Sequence, residues 1–283
     1  MSIRRVHSVK DIRDAATRRR AEDEMAVVVE AQAPESLMVK DMKAGKLPDG
    51  DGFILLPREK VIRVEEELED HGSAMVPSAV LEHFIRSASC RVITNFCICR
   101  EGHECKTYPR DMGCIFLGDA AKDISEELGR QVGVEECLAY AAEARKLGLH
   151  QIVGRFHADA HWLDVAPIEK LLTICNCCTC CCGMRANKYL DPKESKRLLS
   201  PMPGLEIAVT DDCSGCGVCE EQCGFDGIHM DDGQAVINPE KCKICGACAD
   251  ACPSDAIQIT FKKGSYVQET IKSISKRADV TSG

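Results

Sequence analysis

Apolar and polar positions alternate most regularly in the middle of the chain. "VPSAVLEHFIRSAS" sets Val76, Val80, Phe84 and Ile85 at helical spacing behind Pro77, a residue that suits the first turn of a helix. "VGVEECLAYAAEARKLG" is an amphipathic helix stopped at Gly148. "FILLP", "RVITNFCICR" and "HQIVGRF" read as short extended pieces, the second rich in β-branched residues. Upstream, "SVKDIRDAATRRRAEDEMAVVVEAQA" has a helical cast with Ser8 as cap candidate, and "KAGKLPDGDG" breaks it. The pattern predicts a helical arm over residues 1–50, an α+β domain over 51–190, and a polar, proline-bearing linker, "DPKESKRLLSPMPG", covering 191–204.

Composition changes this ordinary picture in one respect: 20 of the 283 residues are cysteine. Disulfide scaffolds are short secreted chains, whereas this one is long, charged and opens without an apolar signal region, so a reducing cytoplasm is expected. No apolar run is long enough for a membrane span. The formal charge is −9, and Leu205–Thr260 carries 11 acidic residues against Lys241 and Lys243. That field argues against nucleic acid and for docking to a basic face of another protein. Neither a dinucleotide fingerprint nor a P-loop occurs, which leaves bound nucleotide, nicotinamide or flavin without support.

Eight cysteines form an internal repeat. "CSGCGVCEEQC" holds Cys213, Cys216, Cys219 and Cys223; "CKICGACADACP" holds Cys242, Cys245, Cys248 and Cys252, each spaced C-x2-C-x2-C-x3-C. Three close thiolates wrap one corner of a cubane, and the fourth ligand comes from the other half. The expected sets are Cys213, Cys216 and Cys219 with Cys252, and Cys242, Cys245 and Cys248 with Cys223. A zinc ribbon uses paired C-x2-C knuckles instead of a triple run. Residues 205–262 resemble the bacterial-type two-cluster ferredoxins, which implies a βαββαβ domain holding two 4Fe-4S clusters. Gly224 stands where that family usually carries proline in the first half.

Ten further cysteines fall into two groups. Cys97, Cys99, Cys105 and Cys114 lie in "CICREGHECKTYPRDMGC"; Cys175, Cys177, Cys178, Cys180, Cys181 and Cys182 lie in "CNCCTCCC". On a strand Cys97 and Cys99 would share a face, with Cys105 and Cys114 returning from the loop to complete a four-thiolate site. Adjacent cysteines diverge, so the dense run implies two metal centres sharing one loop, or one unusually large cluster. Ten thiols suit two cubanes with two to spare, and a spare thiol beside a cluster is a candidate for redox chemistry or substrate binding. A zinc or storage role is the alternative. The order of features over residues 76–262 also resembles a family of iron–sulfur proteins associated with anaerobic bacteria and archaea. In that family a CxCR segment, two more cysteines, a helix ending in Gly-Leu and an ICNCCxCCC block precede a two-cluster ferredoxin. The resemblance implies additional clusters and anaerobic redox metabolism. "CCG" at Cys181–Gly183 matches one element of the non-cubane motif of heterodisulfide-reductase-type subunits, but the downstream pair it needs, Cys213 and Cys216, belongs to the repeat.

Cys90 and Cys137 stand apart and read as buried structural thiols. His157 and His161 are four apart, yet Ala158 occupies the glutamate position of the zinc-protease pattern, which favours a surface or packing role. His103 is a candidate for a hydrogen bond beside a cluster; Arg100 either donates to cluster sulfur or pairs with Glu101. The basic tail, 263–283, reads as a solvated end or a docking segment. The expected function is single-electron transfer to or from a partner oxidoreductase. The alternative is an oxidoreductase with an active-site cluster in the Cys97–Cys182 region, fed by its own ferredoxin domain.

Overall fold

The computed structural model describes residues 19, 21–23, 25–26, 28–30, 33–59, 62–63, 77–261 and 266–281; the Ser8 cap and Val76 lie outside them. Strands β1 (Gly52–Leu56), β3 (Arg91–Thr94), β4 (Ile115–Leu117), β5 (Gly129–Gln131), β6 (His150–Arg155), β7 (Leu172–Cys177) and β8 (Leu199–Pro201) form one sheet in the order β5-β3-β4-β7-β6-β1-β8. All neighbours pair antiparallel except β1 and β8. Every residue of β1 and β6 is buried, because both faces of the sheet are covered; hence "FILL" reads as an unbroken apolar run.

The two faces have different tasks. Ile54, Val153 and Ile174 pack under helices Pro77–Ser87 and Val134–Lys146, against Val80, Phe84, Ile85 and Ala141. Phe53, Leu55 and Ile152 point the other way, and Cys177 packs among them. Cys175 lies opposite Ile152 in the β6–β7 register, which puts it on that second face as well.

Beyond this sheet the elements run β9 (Leu205–Val209), helix Val218–Glu221, β10 (Ile228–Asp231), β11 (Gln234–Ile237), helix Ala247–Ala251 and β12 (Ile257–Phe261). β12 pairs antiparallel with β9, and β10 with β11. The short β2 (Ile62–Arg63) adds to β12 in parallel, tying upstream chain to this second sheet. Gly217 and Gly246 open the two helices in left-handed conformations, with φ of 77° and 83°, at equivalent points of the repeat.

Two stretches differ from the reading by sequence. Residues 191–204 carry a helix, Pro192–Leu198, followed by β8. Asp191 caps it by accepting from the backbone N–H of Lys193 and Glu194, and Pro192 sits in the first turn. Polarity disguised the helix, since Ser195 and Glu194 are buried against neighbours. The tail contains a helix, Tyr266–Ser275, whose Val267, Thr270 and Ile274 are buried at helical spacing, and Ser89 N–H donates to the Val280 carbonyl at 2.8 Å. Its positive charges lie on the outward side of an otherwise amphipathic element.

Candidate metal centres

The ten upstream thiols are sorted by local backbone. β3 ends at Thr94, and a short helix, Ile98–Gly102, begins directly after Cys97. The expected strand through Cys97 and Cys99 is therefore absent: Glu101 N–H donates to Cys97 O and His103 N–H to Cys99 O, winding the chain into a helical turn. Gly113 permits the return. A Cβ there would run into Thr94 Oγ1 and the Phe96 and Thr94 carbonyls, so only glycine lets Cys114 close against this turn.

On the other side, β7 projects Cys175 and Cys177 from one face, as residues two apart on a strand must. The loop after it turns Cys178, Cys180 and Cys181 away and brings Cys182 back. Cys182 Sγ lies 3.2 Å from Cys177 Sγ, and Cys114 Sγ lies 3.4 Å from Cys175 Sγ. Cys99 contacts Cys97 on one side and Cys182 on the other. Thus Cys97, Cys99, Cys114, Cys175, Cys177 and Cys182 form one contiguous six-thiol group. Cys105, Cys178, Cys180 and Cys181 form another, with their sulfur atoms all within 4.8 Å of one another. "CNCCTCCC" serves the six-thiol group at both ends and the four-thiol group in its middle.

Within each group one thiol is favoured as thiolate while its neighbours are held protonated. Sulfur contacts from Cys175 and Cys182 hold the Cys177 thiol below its ordinary pKa despite burial. Burial opposes the Cys105 thiolate, but the backbone N–H groups of Tyr108 and Thr107, with Cys181 and Cys180, outweigh it and lower its pKa. Burial pushes Cys180 up to about 12. Such groups share protons among crowded sulfurs and release them to a metal.

Arg100 is fully buried, and its hydrogen bonds go to backbone carbonyls. Its guanidinium donates to the carbonyls of Pro109 (2.8 Å), Asn176 (2.7 Å) and Met112. Glu101 pairs with Arg110 instead. Burial disfavours the Arg100 charge, but Cys97, Cys178, Cys114 and Cys177 more than offset it. Those four cysteines belong to both groups, so one cation serves two sulfur-rich sites. Asn176, between Cys175 and Cys177, donates to Gly113 O at 2.9 Å and accepts from Gln151 at 2.8 Å. These residues hold the cysteine-bearing loops together. No motif marks them, since their partners lie far along the chain.

In the C-terminal part Cys213, Cys216, Cys219 and Cys252 line one small cavity, of about 10 Å³, and Cys223, Cys242, Cys245 and Cys248 line another of about 20 Å³. The backbone N–H groups of Gly227, Ile244 and Ala256 donate to Cys223, Cys242 and Cys252 sulfur at 3.2, 3.4 and 3.4 Å. Donors of this kind stabilise thiolate and raise cluster potential.

Gly224 meets the upstream loop. A Cβ on it would stand 2.9 Å from the Thr179 carbonyl, inside the dense cysteine run. Phe225 stacks edge-on to His150 at 6.3 Å, and burial, then Arg58 and Arg100, push His150 down to about 3, keeping it neutral. Arg58 pairs with Asp250 at 2.5 Å, and Lys243 donates to Ser195 Oγ at 2.7 Å. Small size at 224 thus brings the repeat against the upstream thiol loop. Gly224→Pro is expected to leave the iron content of the protein unchanged while accelerating amide hydrogen exchange across residues 178–182. Unaltered exchange there would show that the ring fits without displacing the loop.

The remaining candidates separate clearly. Cys90 and Cys137 are fully buried in apolar clusters, Cys90 in one that also includes Cys114, and burial pushes Cys137 up to about 12. His103 faces the N-terminal segment, where the Val28 backbone engages it. His161 is exposed, while His157 Nδ1 lies 2.6 Å from the buried Asp51 carboxylate. The i, i+4 histidines therefore do not act as a pair.

The cysteine-lined cavities and thiol groups together suggest an iron–sulfur protein suited to electron transfer. Residues 235–258 match the 4Fe-4S binding domain family, a span that includes Cys242, Cys245, Cys248 and Cys252. No curated protein matches the chain. Among the described residues no helix is long and apolar enough to cross a membrane.

Proposed function

We propose that the chain relays single electrons between a partner oxidoreductase and its own upstream metal centres, in anaerobic metabolism. Cys213, Cys216, Cys219 and Cys252 would hold one 4Fe-4S cluster, and Cys223, Cys242, Cys245 and Cys248 a second, as a two-cluster ferredoxin domain does. Cys105, Cys178, Cys180 and Cys181 would hold a third cluster, and the six-thiol group a fourth. When bound, such clusters supply one-electron exchange without bond making.

The observation that carries this reading is the division of the upstream thiols into two groups, one of which abuts the Cys223 turn through Thr179 and Gly224. Cys216 is exposed and lies among the exposed acidic residues Asp211, Asp212, Glu220 and Glu221, a field suited to steering a basic partner. Iron and sulfide analysis of anaerobically reconstituted protein, with EPR, tests it. About sixteen irons per chain are expected for four cubanes. About eight irons, or zinc in the upstream groups, would overturn the upstream centres.

A second reading, an oxidoreductase whose active site lies at the six-thiol group, is favoured by one observation. That group opens into a cavity of about 560 Å³.

A further inference from the structure

The apolar core divides unevenly among the thiol sites. Cys177 and Cys182 of the six-thiol group share one apolar cluster with Phe225, Cys245 and Ala247 of the C-terminal repeat, and Cys175 and Cys223 pack against it. Cys105, Cys178 and Cys181 of the four-thiol group sit in a separate cluster with Ala144 and Leu149, which has no member beyond Cys181. The four-thiol loop approaches the repeat through backbone, at the Thr179 carbonyl beside Gly224. The second C-terminal site is therefore continuous in its packing with the six-thiol group.

Two rings lie between them. Phe225, two residues past Cys223, is buried and lines the cavity of the second C-terminal site. His150 opens β6 and stands opposite Cys177 in the β6–β7 register, where cross-strand side chains on one face are neighbours. The two rings meet edge-on with centroids 6.3 Å apart, and both are buried. Packed side chains thus link Cys223 to Cys177 by way of Phe225 and His150.

A cation stands at each end of this link. The Arg58 backbone N–H donates to the Cys245 carbonyl at 3.2 Å, and its side chain pairs with Asp250. Arg100 is buried among the upstream thiols. Each cation favours added negative charge on the centre beside it, while burial keeps the His150 ring between them neutral. At the outer end Cys216 is exposed, whereas Cys245 and Cys248 are buried, so electrons enter at the first C-terminal site.

We propose that Phe225 and His150 are positioning residues for electron transfer from the repeat to the six-thiol centre. One electron leaves the reduced centre held by Cys223, Cys242, Cys245 and Cys248 and reduces the six-thiol centre by one, with no bond or proton moved and without passing through the four-thiol centre. The inference rests on the electron-relay reading and adds its route. Tunnelling is far less efficient across a void than through packed atoms, and a large-to-small substitution in a core leaves a gap that its surroundings close only in part.

The test uses full-length, anaerobically reconstituted protein mixed with less than one equivalent of methyl viologen radical and frozen at successive times for EPR. The two upstream signals are told apart by their separate loss in Cys177→Ser and Cys178→Ser. C-terminal signals should appear first, and the six-thiol signal should grow as they decay. Phe225→Ala and His150→Ala should each slow that second phase about ten-fold, with iron, sulfide and midpoint potentials unchanged, because each opens a gap in the link. Phe225→Leu and His150→Phe, which refill it, should stay near the wild-type rate. A wild-type rate in either iron-replete alanine variant overturns the route, as does equal slowing in the refilled variants. A four-thiol signal that rises before the six-thiol signal in the unaltered protein also overturns it, and that order decides the matter even where an alanine variant loses iron. About eight irons in the unaltered protein would overturn the relay reading itself, whereas about sixteen irons with the wrong order of signals would overturn the route alone.

Discussion

Exchanging Cys177 and Cys178 for serine, one at a time, is expected to remove two different metal centres, although the residues are neighbours in the chain. Cys177 ends β7 and meets Cys182 at 3.2 Å in the six-thiol group. Cys178 lies past the strand end with Cys105, Cys180 and Cys181. Iron prefers soft thiolate to a serine oxygen, so each substitution should empty its own site. With one cubane in each group, either variant loses about four irons. The informative readout is EPR: the signal lost in Cys178→Ser should persist in Cys177→Ser, and the reverse. The same deficit in both variants would mean that the run serves a single cluster.

Arg100→Gln is expected to have the largest effect on stability. Three carbonyls, of Pro109, Met112 and Asn176, lose their donor in a fully buried setting, and the sulfur groups on either side lose their shared cation. Breaking a buried charge arrangement by removing one member costs about 3–5 kcal/mol. Denaturant unfolding of the anaerobic protein should show this, with loss of the upstream EPR signals before those of the C-terminal clusters. Arg100→Lys should recover less than half of the loss, because an ammonium on a flexible stem cannot satisfy three carbonyls held in a fixed fork. Full recovery by lysine would mean that charge alone matters and the carbonyl contacts do not.

Much of the C-terminal part was legible in the sequence. C-x2-C-x2-C-x3-C is a local code: three thiols within seven residues meet because the backbone between them is short, and the repeat supplies the fourth. Over residues 205–261 the elements run strand, helix, strand, strand, helix, strand. The helices of 77–87 and 134–146 were equally readable from their apolar stripes. The segments misread are those where polarity and packing diverge. Ser195 and Lys243 are polar and buried because they bond to each other, so Pro192–Leu198 lacked the apolar stripe that announces a helix.

Arg100 shows why the upstream site was harder. Its position beside Cys99 invited a sulfur contact, yet the side chain reaches carbonyls up to 76 residues away. Gly224 was visible as a departure from a familiar pattern, but its reason, the Thr179 carbonyl, belongs to a different part of the chain.

The sequence by itself determined the inventory: a repeated C-x2-C-x2-C-x3-C spacing, an excess of acidic residues over 205–260, and ten further clustered cysteines upstream. The tertiary structure decided how those thiols divide and what adjoins them. A strand presents alternate residues to one face, so β7 could commit Cys175 and Cys177 together, but only the path of the following loop sends Cys178 to one site and Cys182 to another. Likewise Asp51 and His157 are 106 residues apart. They meet because β1 pairs with β6 in a register that sets Gly52 opposite Arg155, which brings the residues just outside both strands to the same end of the sheet.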